Sequence, residues 1–132
     1  MLNTSYVGRT LPATEPHVVT AEEIGGFAAA LGTKSDGAVA SATFLVSHTL
    51  PAADRLIDDP DFGLDFTRVL HREQRFAHVR PVRAGDAISC LVHVESIKTV
   101  AGNDVLTTRT EVTVDGEPVS TVWTTLFVRG DA

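Results

Sequence analysis

The side chains with the most chemical scope are a set of histidines, a lone cysteine and a group of arginines. His48 falls inside the most apolar helical stretch of the chain, one turn and a residue beyond Thr43. A histidine there is either a hydrogen-bonded core residue or a side chain facing a tunnel, where its charge change near neutral pH suits acid–base work. His71 and His78 share one strand-like segment at odd spacing, which in a regular strand sends them to opposite faces. A pairing or interface role suits either. Two histidines alone do not make a metal site, and no acid–histidine spacing along the chain supports one, so neither a metal nor a cofactor is expected. Cys90 alternates with Ile88, Val92 and Val94, which reads as packing on the apolar face of a strand rather than as a nucleophile. As the single cysteine it rules out an intramolecular disulfide and a multi-cysteine metal site.

Carbonyl chemistry also needs a place for developing negative charge. Residues 33–42, TKSDGAVASA, lead into the apolar stretch, and a loop feeding the start of a buried helix presents unpaired N–H groups with a positive dipole end. Ala42, Thr43 and Phe44 are therefore candidates to hold a carbonyl oxygen or an oxyanion; the alternative is an ordinary helix-to-helix connection. The Thr43 hydroxyl adds either a helix cap or a substrate contact.

These residues have to be positioned by the elements around them. Residues 43–58, TFLVSHTLPAADRLID, are apolar around most of a helical circumference, which is the mark of a helix buried inside a fold. Pro51 predicts a kink or a restart within it. Upstream, residues 1–15 read as an arm or loop, residues 17–19 as a short strand, and Thr20 with Glu23 as a capping box that opens a helix stopped by Gly32. Downstream come four strand-like segments, at 68–80, 87–100, 105–114 and 119–128, with turn signals at Gly85, at Ala101-Gly102-Asn103 and at Asp115-Gly116. A buried helix followed by four antiparallel strands predicts an α+β hot-dog fold in one domain, 1–132, with the sheet wrapped around the central helix.

With 132 residues and 43% hydrophobic content the chain has material for one sizeable core. The net charge of -6 argues against a nucleic-acid or anionic-membrane partner. Arg72, Arg75, Arg80 and Arg83 do cluster, but with Glu73 and Asp86 among them, which reads as a solvated strand edge and turn; a phosphate of a carrier such as coenzyme A is the alternative partner for an arginine pair. No apolar run approaches the ~18 residues of a membrane span and no signal-peptide pattern opens the chain, so a cytoplasmic protein is expected.

The segments YVGRTLPATEPHVVTAEEIGGFAAALG, VLHREQRFAHVRPVRAGD and ESIKTVAGNDVLTTRTEVTVDGEPVSTVWTTLFVRG together resemble the MaoC-like N-terminal dehydratases, the group of the HadA-type subunits. The resemblance covers nearly the whole chain. It implies a hot-dog dimer or pseudo-dimer and an acyl thioester on coenzyme A or acyl carrier protein as substrate. The implied reaction is reversible syn addition of water to a trans-2-enoyl thioester, giving the (3R)-hydroxyacyl thioester. Catalytic members of the family carry an aspartate and a histidine in a D-x-N-P-x-H loop between the first helix and the buried one. This sequence departs from that pattern: the matching residues 32–41 contain no histidine, and Asp36 is their only acid. Asp36 is thus the residue onto which the acidic role would carry over, against a solvated turn aspartate. His71 matches a histidine that the family usually carries in this strand.

Three functions follow. One is a dehydratase or enoyl hydratase subunit that shapes the acyl tunnel while a second MaoC-like chain supplies the Asp–His dyad. Another is a homodimeric enzyme of altered chemistry, a thioesterase or a conjugate-addition or cyclisation catalyst, using His48 or Asp36. The third is a non-catalytic acyl-binding partner.

Overall fold

The computed structural model describes residues 1–130. Strand β1, His17–Val18, leads into helix α1, Ala21–Ala30. Its start is the capping box expected from Thr20 and Glu23: the Thr20 hydroxyl accepts from the Glu23 N–H, and the Glu23 carboxylate accepts from the Thr20 N–H at 2.8 Å. Gly32 then takes the left-handed backbone, φ +76, that ends the helix without a side-chain clash. Helix α2, Val46–Asp54, follows, and then strands β2, Val69–His78; β3, Ala87–Val100; β4, Asn103–Val114; and β5, Glu117–Val128.

The strands form one antiparallel sheet in the order β1-β3-β4-β5-β2. Ala101-Gly102 and Asp115-Gly116 both have positive φ at the two turn positions, the geometry that lets a two-residue turn follow the natural strand twist. Along β4, buried Leu106, Thr108, Thr110, Val112 and Val114 alternate with half-buried neighbours, so one face of the sheet packs on α2 and the other meets solvent. Phe44, Leu45, Ala52 and Ala53 meet Ile88, Cys90, Val92, Val112 and Val122 in one core cluster. A second cluster joins Leu2, Tyr6, Leu56, Phe62, Val94 and Leu106. A sheet curled around one helix in this way is the hot-dog arrangement.

Three expectations need correction. The α-helix covers nine residues rather than all of 43–58, because both ends tighten into turns with i to i+3 bonds: Phe44 N–H to Ser41 O and Val46 N–H to Thr43 O at the start, Ile57 N–H to Asp54 O at the end. Of the kink or restart expected at Pro51, the restart does not occur, since the helix runs through the proline without a break. Pro51 lies on the exposed side with Ser47, the residue whose carbonyl it cannot bond, so water can take the missing donor's place. Finally, His71 and His78 do not face opposite sides. A β-bulge between His71 and Glu73 shifts the alternation by one residue, and both histidines lie on the α2 side of the sheet.

The N-terminal arm is fastened along β3. Leu11 N–H bonds Val92 O, Val94 N–H bonds Arg9 O, and Leu2 N–H donates to the buried Asp104 carboxylate at 2.8 Å. The β3 side of the sheet is thus covered by the arm and β1, which leaves ten-residue β2 as the open edge.

Candidate functional site

The turn before α2 is set by β2. His78 Nε2 lies 2.7 Å from the Ala42 carbonyl oxygen, and its Nδ1 lies 2.8 Å from Ser120 Oγ. A carbonyl can only accept, so Nε2 carries the proton; in the neutral ring Nδ1 then accepts from Ser120. Of the three residues expected to offer donors here, Phe44 is spent, its N–H bonded to Ser41 O at 3.2 Å. The N–H groups of Ala42 and Thr43 have no protein acceptor among the described residues. Thr43 makes no helix cap: the capping position is Leu45, which has no side-chain bond to offer. Ala42, Leu45, His78 and Val82 help line a cavity of about 320 Å³ at this end of the helix.

A second cavity, of about 250 Å³, lies between the C-terminal half of α2 and the sheet. Leu50, Ala53, Leu56, Leu64, Leu106 and Leu126 make it apolar. Thr108 adds a buried hydroxyl without a partner, and Asp54 and His71 stand at the rim. Burial raises the Asp54 carboxyl, and Asp58 pushes it the same way. No hydrogen bond or ion pair joins Asp54 to His71 among the described residues. Both cavities lie against β2, one at each end.

His48 does not reach the apolar cavity. Leu50, Ala53 and Asp54 of α2, with Leu56 and Ile57 just beyond it, line the cavity, whereas His48, Pro51 and Ala52 of α2, with Arg55, line a separate cleft of about 270 Å³ with His17 and Cys90. Helical spacing puts these two groups on different sides of one helix. In the cleft, His48 Nε2 lies 3.4 Å from Glu23 Oε1, and His17 Nε2 lies 2.8 Å from the same oxygen. Burial lowers the His48 pKa and neighbouring His17 lowers it further, while Glu23 pulls the other way. Burial would raise the Glu23 carboxyl, but bonds from Thr20 and His17 hold it below the usual carboxylate range. Sequence reasoning missed this trio. Glu23 was visible only as a capping residue, and nothing in the spacing joins positions 17, 23 and 48.

The remaining candidates are not gathered with these. Asp36 is exposed and accepts from the Ala38 N–H at 2.9 Å in a local turn. The Cys90 thiol is buried and pushed up to about 11 by desolvation, unsuited to forming a thiolate. Arg80 is taken by Asp86 at 2.9 Å, and Arg75 stacks over the Trp123 ring at 4.1 Å, so these two do not form a phosphate clamp. No helix among the described residues is long and apolar enough to cross a membrane.

A family model described as "FAS1-like, dehydratase domain region" matches residues 5–122. The chain is 42% identical to a UPF0336 protein of Saccharopolyspora erythraea over 146 aligned positions, covering 99% of this chain and 94% of that one. It is 43% identical to a UPF0336 protein of Streptomyces coelicolor over 143 positions, covering 97% and 95%. Both matched stretches exceed the 132 residues here, so these relatives carry residues within the match that this chain lacks. Among solved structures, the HadBC (3R)-hydroxyacyl-ACP dehydratase complex of Mycobacterium tuberculosis superposes with a TM-score of 0.77 at 25% identity, over 92% of this chain and 96% of that one. A MaoC-like dehydratase superposes at 0.80 with 26% identity, over 96% of this chain and 43% of that one. With the sheet, the enclosed helix and the matched span in agreement, the chain belongs to the MaoC-like hot-dog dehydratase family.

Proposed function

We propose that the chain is a subunit of a (3R)-hydroxyacyl-thioester dehydratase, which in reverse is a trans-2-enoyl hydratase. Its substrates are acyl thioesters of coenzyme A or acyl carrier protein, and a second MaoC-like subunit supplies the Asp–His dyad. One observation carries this reading: among the described residues the apolar cavity has walls but no bonded acid–base pair, since Asp54 and His71 at its rim are not joined to each other, Asp36 is spent on Ala38 and His48 lies on another side of α2. The open edge β2, with a cavity at each end, supports a partner docked along that strand, and the HadBC structure is by its name a complex of subunits.

The chemistry divides accordingly. Removing the proton α to a thioester carbonyl moves charge onto the carbonyl oxygen, and fixed donors there lower the barrier most when they need not reorient. The N–H groups of Ala42 and Thr43 are such donors at the helix start, and His78 fixes the turn by holding the Ala42 carbonyl. The acyl chain then runs toward the apolar cavity past His71. The partner's dyad moves the proton and places the β-hydroxyl or water.

Co-purification of the tagged chain from its native host tests the pairing. The expected companion is a MaoC-like chain with an intact D-x-N-P-x-H loop. Recovery of the chain only with itself contradicts the reading.

A further inference from the structure

We propose that His17, Glu23 and His48 form a binding site for a divalent transition-metal ion of the zinc class, tying β1, α1 and α2 together. Their ligating atoms all lie within 4.8 Å of one another, with His17 and His48 both directing Nε2 at Glu23 Oε1. Zinc bonds of about 2.0–2.2 Å in a tetrahedron set ligand atoms ~3.3–3.5 Å apart. The 3.4 Å contact to Glu23 already has that spacing, while the 2.8 Å contact has to open and the widest pair of ligand atoms, within 4.8 Å, has to close, both by movement of side chains alone.

The donors suit this class of ion. Two imidazole nitrogens and one carboxylate oxygen favour zinc and its first-row neighbours over magnesium or calcium, which take oxygen sets. The Glu23 carboxylate is already oriented for ligation, because its Oε2 accepts from the Thr20 N–H at 2.8 Å and from the Thr20 hydroxyl at 3.2 Å; Oε1 faces both rings, and His17 Nε2 also lies 3.0 Å from Oε2. Arg55 shares the cleft, and its bonds to the Ala52 and Pro12 carbonyls, each at 2.8 Å, orient the guanidinium without cancelling its charge. Three protein ligands beside an open cleft leave a fourth position for water or an exchangeable ligand.

Without an ion, the same three residues would have to share protons between two rings and one oxygen. With one, a single ligation replaces those bonds and joins elements that otherwise meet through few polar contacts. The consequence is a metal-dependent rise in stability, whatever the chain's catalytic role.

Zinc chloride titrated into metal-stripped full-length protein, read by calorimetry and by thermal unfolding, tests the site. The expected result is one zinc per chain at micromolar or tighter affinity and a raised Tm. His17→Ala and His48→Ala should each weaken binding at least tenfold, whereas Cys90→Ser leaves it unchanged and magnesium gives no shift. His17 is half exposed, with 48% of its side chain accessible, so its variant should fold normally and still report on binding. Binding undiminished in the His17→Ala/His48→Ala double variant, binding abolished by Cys90→Ser, or no zinc binding at all would overturn the proposal.

Discussion

His78 and Ala42, 36 residues apart in sequence, are joined by a 2.7 Å bond that makes the end of β2 a support for the turn opening α2. Removing the imidazole takes the side-chain donor from the Ala42 carbonyl and leaves the Ser120 hydroxyl only its longer, 3.4 Å bond to the Ala77 carbonyl. His78→Ala should therefore cost about 1 kcal/mol, the net worth of a partly exposed hydrogen bond, and should weaken acyl-thioester binding by loosening the turn. Urea unfolding and thioester titration read the two effects separately; a variant with unchanged stability and unchanged binding would show that the bond positions nothing.

The two large side chains of the helix region should separate in a stability assay. Phe44 is only 2% exposed and sits in the main core, so Phe44→Ala should cost about 3–5 kcal/mol. Leu50 is half-buried and already faces a cavity, so Leu50→Ala removes fewer contacts and should cost less than about 2 kcal/mol. Equal losses in denaturant midpoint would mean that the cavity closes in solution.

Acid sensitivity should trace in part to His48. Burial holds its folded pKa below the ordinary 6.5, so as pH falls past that value the unfolded chain takes up a proton that the folded chain refuses. Stability therefore falls with pH in this window and levels off only below the folded pKa. His48→Gln should flatten the dependence of unfolding free energy between about pH 5 and 7 in metal-free buffer. Glu23, whose folded pKa is lowered from 4.5, loses its contribution in a separate, more acid range. An unaltered slope in the His48 variant would show that the ring is solvated when folded.

Inside the apolar cavity, the Thr108 hydroxyl is buried without a partner, a standing cost in the folded state. Thr108→Val keeps the shape and removes the unpaired group, so it should leave stability unchanged or raise it by up to about 1 kcal/mol. It should also leave aliphatic thioesters bound as before. A loss of more than that amount would reveal a water-mediated partner for the hydroxyl.

Much of this fold was legible because local signals agreed with one another. The Thr20–Glu23 capping box, the alternation through Cys90 and the Asp115-Gly116 turn all appear where their patterns place them. What failed depended on tertiary geometry. The bulge after His71 leaves no composition signal yet reverses the side on which one histidine of the pair faces. The ends of the buried helix depended on i to i+3 bonds that apolar periodicity does not report. Of the candidate site, the turn at Ala42 and Thr43 is suggested by its place before a buried helix, but His78 and the His17, Glu23 and His48 trio come from segments that only the folded chain brings together.

The division of labour between subunits is open to one direct kinetic measurement, in which hydration of a short trans-2-enoyl thioester is followed with the purified chain alone, and again after mixing with a MaoC-like chain that carries the D-x-N-P-x-H loop. The account predicts that the lone chain reacts no faster than buffer and that activity appears on mixing, weakened when Thr43→Pro removes one of the two donors in the turn that leads into α2. Full activity of the lone chain, abolished by His48→Ala, would contradict it and move the chemistry to the cleft beside Glu23.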